Sequence, residues 1–119
     1  MDFKRLFTRS EAERALPLVK RIVADILDTG RRIRETEEDD GSLPGLKADL
    51  EENLHELESI GCYFKDWDFS IGLVDFPAEV EGETVFLCWR SDESSLGWYH
   101  GIDDGYRGRR PLPAHSVTE

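Results

Sequence analysis

Residues 73–90 read Leu-Val-Asp-Phe-Pro-Ala-Glu-Val-Glu-Gly-Glu-Thr-Val-Phe-Leu-Cys-Trp-Arg. Two strand-forming runs flank Glu81-Gly82, a dipeptide that suits the two-residue turn of a β-hairpin. With that turn, Val80 pairs with Glu83 and every further pair follows. Ala78 faces Val85, Phe76 faces Leu87 and Val74 faces Trp89 on one side, and that side is wholly apolar. The other side is mixed: Pro77 faces Phe86, Asp75 faces Cys88 and Leu73 faces Arg90. Pro77 falls at a non-hydrogen-bonded pair, so its missing N–H points away from this partner, as on an edge strand. A slip of one residue would carry Asp75 and Arg90 into the core, at a cost of several kcal/mol per buried ion.

The apolar side needs a cover, and the N-terminal half supplies it. Thr8 followed by Glu11 is a capping box, with Phe7 at the staple position. Pro17 is expected to end or kink this first short helix and to begin a longer one. The longer helix carries Val19, Ile22, Val23, Ile26, Leu27, Gly30 and Ile33 at an unbroken 3-4-3 spacing. The acidic run from Glu35 to Asp40 reads as a solvated helix end. Residues 41–45 read as a loop. A third helix is expected over 46–60, with Leu46, Leu50, Leu54, Leu57 and Ile60 on one face and Gly61 as its C-cap. Two long helices joined by a short loop form an antiparallel hairpin. After Gly61, extended segments are expected at 62–68 and 97–100. The fold class is α+β: an N-terminal helix hairpin on one face of a three- or four-stranded antiparallel sheet. Residues 1–110 form a single domain, and 111–119 read as a loose tail.

Composition narrows function by exclusion. The chain of 119 residues has 26 acidic and 15 basic side chains, a net charge of -11. Such a surface repels phosphate backbones and anionic membranes, which argues against nucleic-acid and membrane partners. No apolar run is longer than residues 85–89, against the roughly 20 residues of a membrane span. The first residues lack the apolar stretch of a signal peptide, so a cytoplasmic location is expected. Cys62 and Cys88 make neither a disulfide framework nor a zinc spacing, and both are expected as free thiols.

The mixed sheet face is where chemistry gathers. Asp75, Cys88 and Arg90 share it, and a diagonal Asp75–Arg90 surface pair is the plain alternative to a ligand site. His100 joins them according to the next hairpin: it lies opposite Cys88 if Arg90 pairs with Trp98, and points to the other face if Arg90 pairs with Gly97. Asp66 and Asp68 share a side if their segment is extended, and with Asp75 and His100 they could hold a divalent cation. Glu93 offers a further oxygen. Arg107 and Arg109, in the run Gly105-Tyr106-Arg107-Gly108-Arg109-Arg110, have the forked geometry that binds anions, or else neutralise nearby acids such as Asp103 and Asp104. His55 reads as a surface histidine and His115 falls in the tail.

These residues resemble the uncharacterised bacterial domain-of-unknown-function family 2203. The likeness rests on Leu6-Phe7-Thr8, Glu11-Ala12, Leu16-Pro17, Gly61-Cys62, Lys65-Asp66, the run from Gly72 to Pro77, Leu87-Cys88-Trp89, Trp98, His100 and the run from Gly105 to Arg109. The family pattern is shorter and less aromatic at 67–71, and it sets a tryptophan beside the histidine where Tyr99 intervenes here. The resemblance implies no activity. Two functions are then expected in competition. One is a cytoplasmic binding module with a small anionic-ligand site formed by Asp75, Cys88, Arg90, His100, Arg107 and Arg109. The other is a small metal-dependent or acid/base hydrolase using Asp75, Asp66, Asp68 and His100. A homodimer is expected, because the stripe from Val19 to Ile33 spans about 20 Å, more than a small sheet requires.

Overall fold

The computed structural model describes residues 3–66 and 69–113. Two helices, α1 (Arg9–Glu35) and α2 (Leu43–Ile60), precede a five-stranded antiparallel meander. Its strands are β1 (Tyr63–Phe64), β2 (Leu73–Val80), β3 (Glu83–Arg90), β4 (Trp98–His100) and β5 (Arg110–Pro111), in that spatial order. The class is α+β, with a helix hairpin on one face of the sheet, as the patterning implies. The sheet has five strands where three or four were expected, because β5 adds a short pair beyond β4.

The β2–β3 register is the one the Glu81-Gly82 turn dictates, pair for pair from Leu73–Arg90 to Val80–Glu83. Both turn residues have positive φ, 53° for Glu81 and 80° for Gly82, the signature of a type I′ turn. Val74, Phe76, Leu87 and Trp89 pack into a single core with Val19, Ile22, Val23 and Ile26 of α1 and Leu57 of α2. Pro77 sits between two partners of β2. Beyond β1, its carbonyl accepts from Phe7 N–H at 2.8 Å, and Glu79 N–H donates to the Phe7 carbonyl. The N–H that proline lacks is therefore missed by neither neighbour.

Three local expectations are corrected. Helix α1 does not break at Pro17; it runs through as one helix of 27 residues. Its capping box at Thr8 and Glu11 is in place. Ala12, Leu16, Val19, Ile22 and Val23 are buried on both sides of the proline, which is itself exposed. A proline in a helix interior costs about 3 kcal/mol, and continuous burial of the stripe on one core outweighs it. Helix α2 begins earlier than expected, at Leu43, because Pro44 suits the first turn and Leu43 is buried. Gly61 caps it in the left-handed conformation at φ 106°. The boundary at Pro111 moves as well. Pro111 pairs with Trp98, Leu112 N–H donates to the Gly97 carbonyl, and the Pro113 carbonyl accepts from Arg9.

The outer half of the α1 stripe is met inside the chain. Gly30 is buried where a Cβ would come within 2.8 Å of Phe69, and Leu27 and Ile33 are half-buried. Among the described residues, no helix is long and apolar enough to cross a membrane. Glu81 occupies a left-handed position that asparagine adopts at less cost. Glu81→Asn should therefore raise stability by about 0.5–1 kcal/mol, and denaturant unfolding that shows no gain would contradict the strain assigned to this turn.

Candidate functional site

The mixed face of the sheet is buried, which surface patterning does not imply. Phe3 packs edge-on against Phe86 at 5.4 Å between ring centroids. Ile102, Gly105 and Tyr106 join Leu73 and Phe86 in closing a pocket over the same face. Its volume is about 270 Å³. The buried part of its lining is Phe86 with the polar groups Asp75, Cys88 and His100, the last three 4%, 1% and 2% exposed. One ligating atom from each lies within 4.8 Å of the others.

Each of the three comes from a different strand. Asp75 on β2 lies directly opposite Cys88 on β3. His100 on β4 lies opposite Phe86. Neither expected alignment of β4 is the observed one. The register is offset by two residues from the one that sets His100 opposite Cys88, and a shift of two preserves the face. The offset follows from the loop between β3 and β4. Leu96 is buried in the core, and Trp89 Nε1–H donates to the Glu93 carbonyl at 2.9 Å while Arg90 N–H donates to Glu93 Oε1. These contacts hold the residues between Cys88 and Trp98 in a wide loop and set β4 back along β3.

His100 then reaches across β3 to Asp75, with Nε2 to Oδ1 at 3.0 Å. Its Nδ1 lies 2.8 Å from the Gly101 carbonyl. Both ring nitrogens face acceptors, so His100 carries both protons and pairs with the Asp75 carboxylate. Burial opposes that charge, but the bonds to Asp75, the Cys88 sulfur and the Gly101 carbonyl overcome it and raise the pKa to about 10. The diagonal Asp75–Arg90 pair does not form. Arg90 Nε donates instead to Asp92 at 2.6 Å, and its Nη1 donates to the Tyr106 hydroxyl.

The other candidate residues separate. The guanidinium of Arg109 lies over Trp98 and Tyr106, with 4.4 Å and 4.8 Å to the ring centroids. It pairs with Glu93 and places Nη1 4.0 Å from Cys88 Sγ. Arg107 is exposed and outside the pocket lining, and Arg110 pairs with Asp104 at 3.8 Å. Asp66 does not join the cluster of Asp75, Cys88 and His100. The extended segment expected to align it with Asp68 stops at Phe64. The Asp66 carbonyl accepts from Phe69 N–H, and its Oδ2 accepts from Ser70 and Ile71. Asp68 lies outside the described residues.

Lys65 is a charged pocket residue to which sequence reasoning assigns no role. Its Nζ lies 5.8 Å from the Tyr63 ring and 5.6 Å from the Phe86 ring. Its place one residue after the β1 pairing, next to Tyr63 opposite Asp75, was the available signal. Both cysteines are free, and they belong to opposite sides of the sheet. Cys62 lies in the helix-side core, where burial pushes its thiol up to about 12. A larger cleft of about 520 Å³ lies between α1 and the 91–94 loop. Its acids are committed, Asp92 to Arg90 and Glu93 to Arg109, and among the described residues no cluster of ligating groups lies in it.

Folding binds the His100 proton more tightly than the unfolded chain does, where the ordinary value is about 6.5. The resulting stabilisation is complete below that value and is lost as pH rises towards about 10. Tm should therefore fall between pH 7 and 10, and His100→Asn should flatten that slope. Parallel slopes in the two proteins would exclude His100 as the group responsible.

No curated protein and no solved structure matches the chain. The sequence pattern of an uncharacterised conserved protein family, DUF2203, matches residues 5–112, a span that takes in every strand and the whole pocket, and the chain belongs to that family.

Proposed function

We propose that the protein is a small binding module that holds a small anion in the pocket on the mixed face of its sheet. The observation that supports this reading is the Asp75–His100 pair, buried and yet lining a cavity of about 270 Å³. A buried ion pair adds little to stability compared with apolar residues of the same volume. A fold that sets one beside a cavity has reserved it for a ligand. Leu73, Phe86 and Ile102 give the pocket apolar walls, which strengthen any charged contact made inside it.

Two groups recognise the anion. Lys65 contributes a positive charge, since Arg90 and Arg109 are already engaged by Asp92 and Glu93. Tyr106 accepts from Arg90 Nη1, which leaves its own O–H to donate to a ligand. The hydrolase alternative keeps Asp75 and His100 in the same pocket but has Asp66 committed to the turn at Ser70 and Ile71. Binding is the reading we favour.

Thermal shift measures it directly. Acetate, butyrate and inorganic phosphate, each against chloride at matched ionic strength, should include an anion that raises Tm saturably. Lys65→Gln should abolish that rise while changing the ligand-free stability by no more than about 0.5 kcal/mol. A panel in which no anion exceeds the chloride control would overturn the reading.

A further inference from the structure

We infer that Asp75, Cys88 and His100 form a binding site for one divalent transition-metal ion of the zinc class, whose fourth coordination position opens into the pocket and receives the anion. The inference rests on the pocket being the ligand site, and it names what holds the ligand there.

Geometry comes first. Tetrahedral donors around zinc lie about 3.3–3.8 Å apart for bonds of the usual length. The three donor atoms here are all within 4.8 Å, with Asp75 Oδ1 and His100 Nε2 at 3.0 Å. Shifts of about an ångström bring them to coordination distance. They stand on three adjacent strands, β2, β3 and β4, so the ladder holds their spacing.

Outer contacts support the same conclusion independently. A metal-bound histidine ordinarily donates its second ring N–H to a carbonyl or carboxylate, which fixes the tautomer. His100 Nδ1 already lies 2.8 Å from the Gly101 carbonyl, directing Nε2 at Asp75 and into the cluster. Arg109 Nη1 lies 4.0 Å from Cys88 Sγ, so a positive charge stands beside the sulfur that would bind the metal.

Charge and donor type select the ion. A carboxylate, a thiolate and a neutral imidazole balance a dication, so the buried site becomes electrically neutral when filled. Binding takes the Nε2 proton from His100 and the thiol proton from Cys88 and releases both to solvent. Sulfur and nitrogen donors favour zinc or cobalt over calcium and magnesium, which take all-oxygen shells. Three protein ligands beside a cavity match an open site rather than a closed structural one.

The test uses the full chain, reduced and stripped with a chelator, then titrated with Co(II) and back-titrated with Zn(II). One equivalent per chain should bind, with a thiolate-to-cobalt charge-transfer band that zinc abolishes. Cys88→Ser should remove the band, and Asp75→Asn should weaken binding at least tenfold. Cys62→Ser and His55→Gln should change neither. X-ray absorption of the zinc-loaded wild-type chain, showing one sulfur among nitrogen and oxygen ligands, keeps the test decisive should a variant fail to fold. Absence of saturable binding, or a zinc shell without sulfur, overturns the metal site. An anion-induced Tm rise that persists in stripped protein and depends on Lys65 then leaves the pocket reading standing. Stoichiometric metal binding with no anion response in either form leaves the ion in place and overturns the pocket reading instead.

Discussion

A type I′ turn at Glu81-Gly82 determines the face on which each residue of β2 and β3 lies. Side chains alternate along a strand with a period of two, so a slip of one residue exchanges the two faces completely. Val74, Phe76, Leu87 and Trp89 would then meet solvent, while Asp75 and Cys88 would press against α1. The turn is held in its register by the difference between those two packings, which far exceeds the strain of a glutamate at positive φ. Both the helix-side core and the polar cluster depend on the same two residues.

Much of this architecture is legible in the sequence because it follows from periodicities and local punctuation. The 3-4-3 stripe of α1, the capping box at Thr8 and Glu11, the left-handed cap at Gly61 and the hairpin register each depend on residues close together in the chain. Misreadings arose where distant packing decides. Pro17 would break an isolated helix, but the buried stripe on either side holds α1 together. The placement of β4 depends on Glu93 and on Leu96 reaching the core, contacts that no local rule encodes. Asp75, Cys88 and His100 were each singled out from the sequence. Their sharing of one face is legible as one of two open alignments of β4; the direct Asp75–His100 contact is not, because it spans the intervening strand β3.

Charge is distributed around the pocket in a consistent way. Arg90 and Arg109 lie beside the pocket without lining it, in contact with Tyr106, and each is tied to an acid outside the lining, Asp92 and Glu93. Those ties fix the guanidinium planes and the Tyr106 hydroxyl in position. The arginine-rich run thus supports the pocket from behind, while Arg107, on the exposed side of the same turn, takes no part in the lining.

The seat of Phe7 on β2 has a consequence for the sheet as a whole. Exposed strand edges recruit other chains by backbone pairing, and natural sheets blunt them. Here β1 covers β2 only as far as Asp75, and Pro77 has no N–H to offer beyond it. Phe7 occupies the remaining stretch with two backbone hydrogen bonds, and Arg5 lies over its ring at 4.0 Å. At the opposite margin, β5 is two residues long and ends in Pro111. Both margins thereby offer little free backbone along β2 and β5 for strand addition, and on β2 it is the N-terminal segment at Phe7 that takes up the pairing positions.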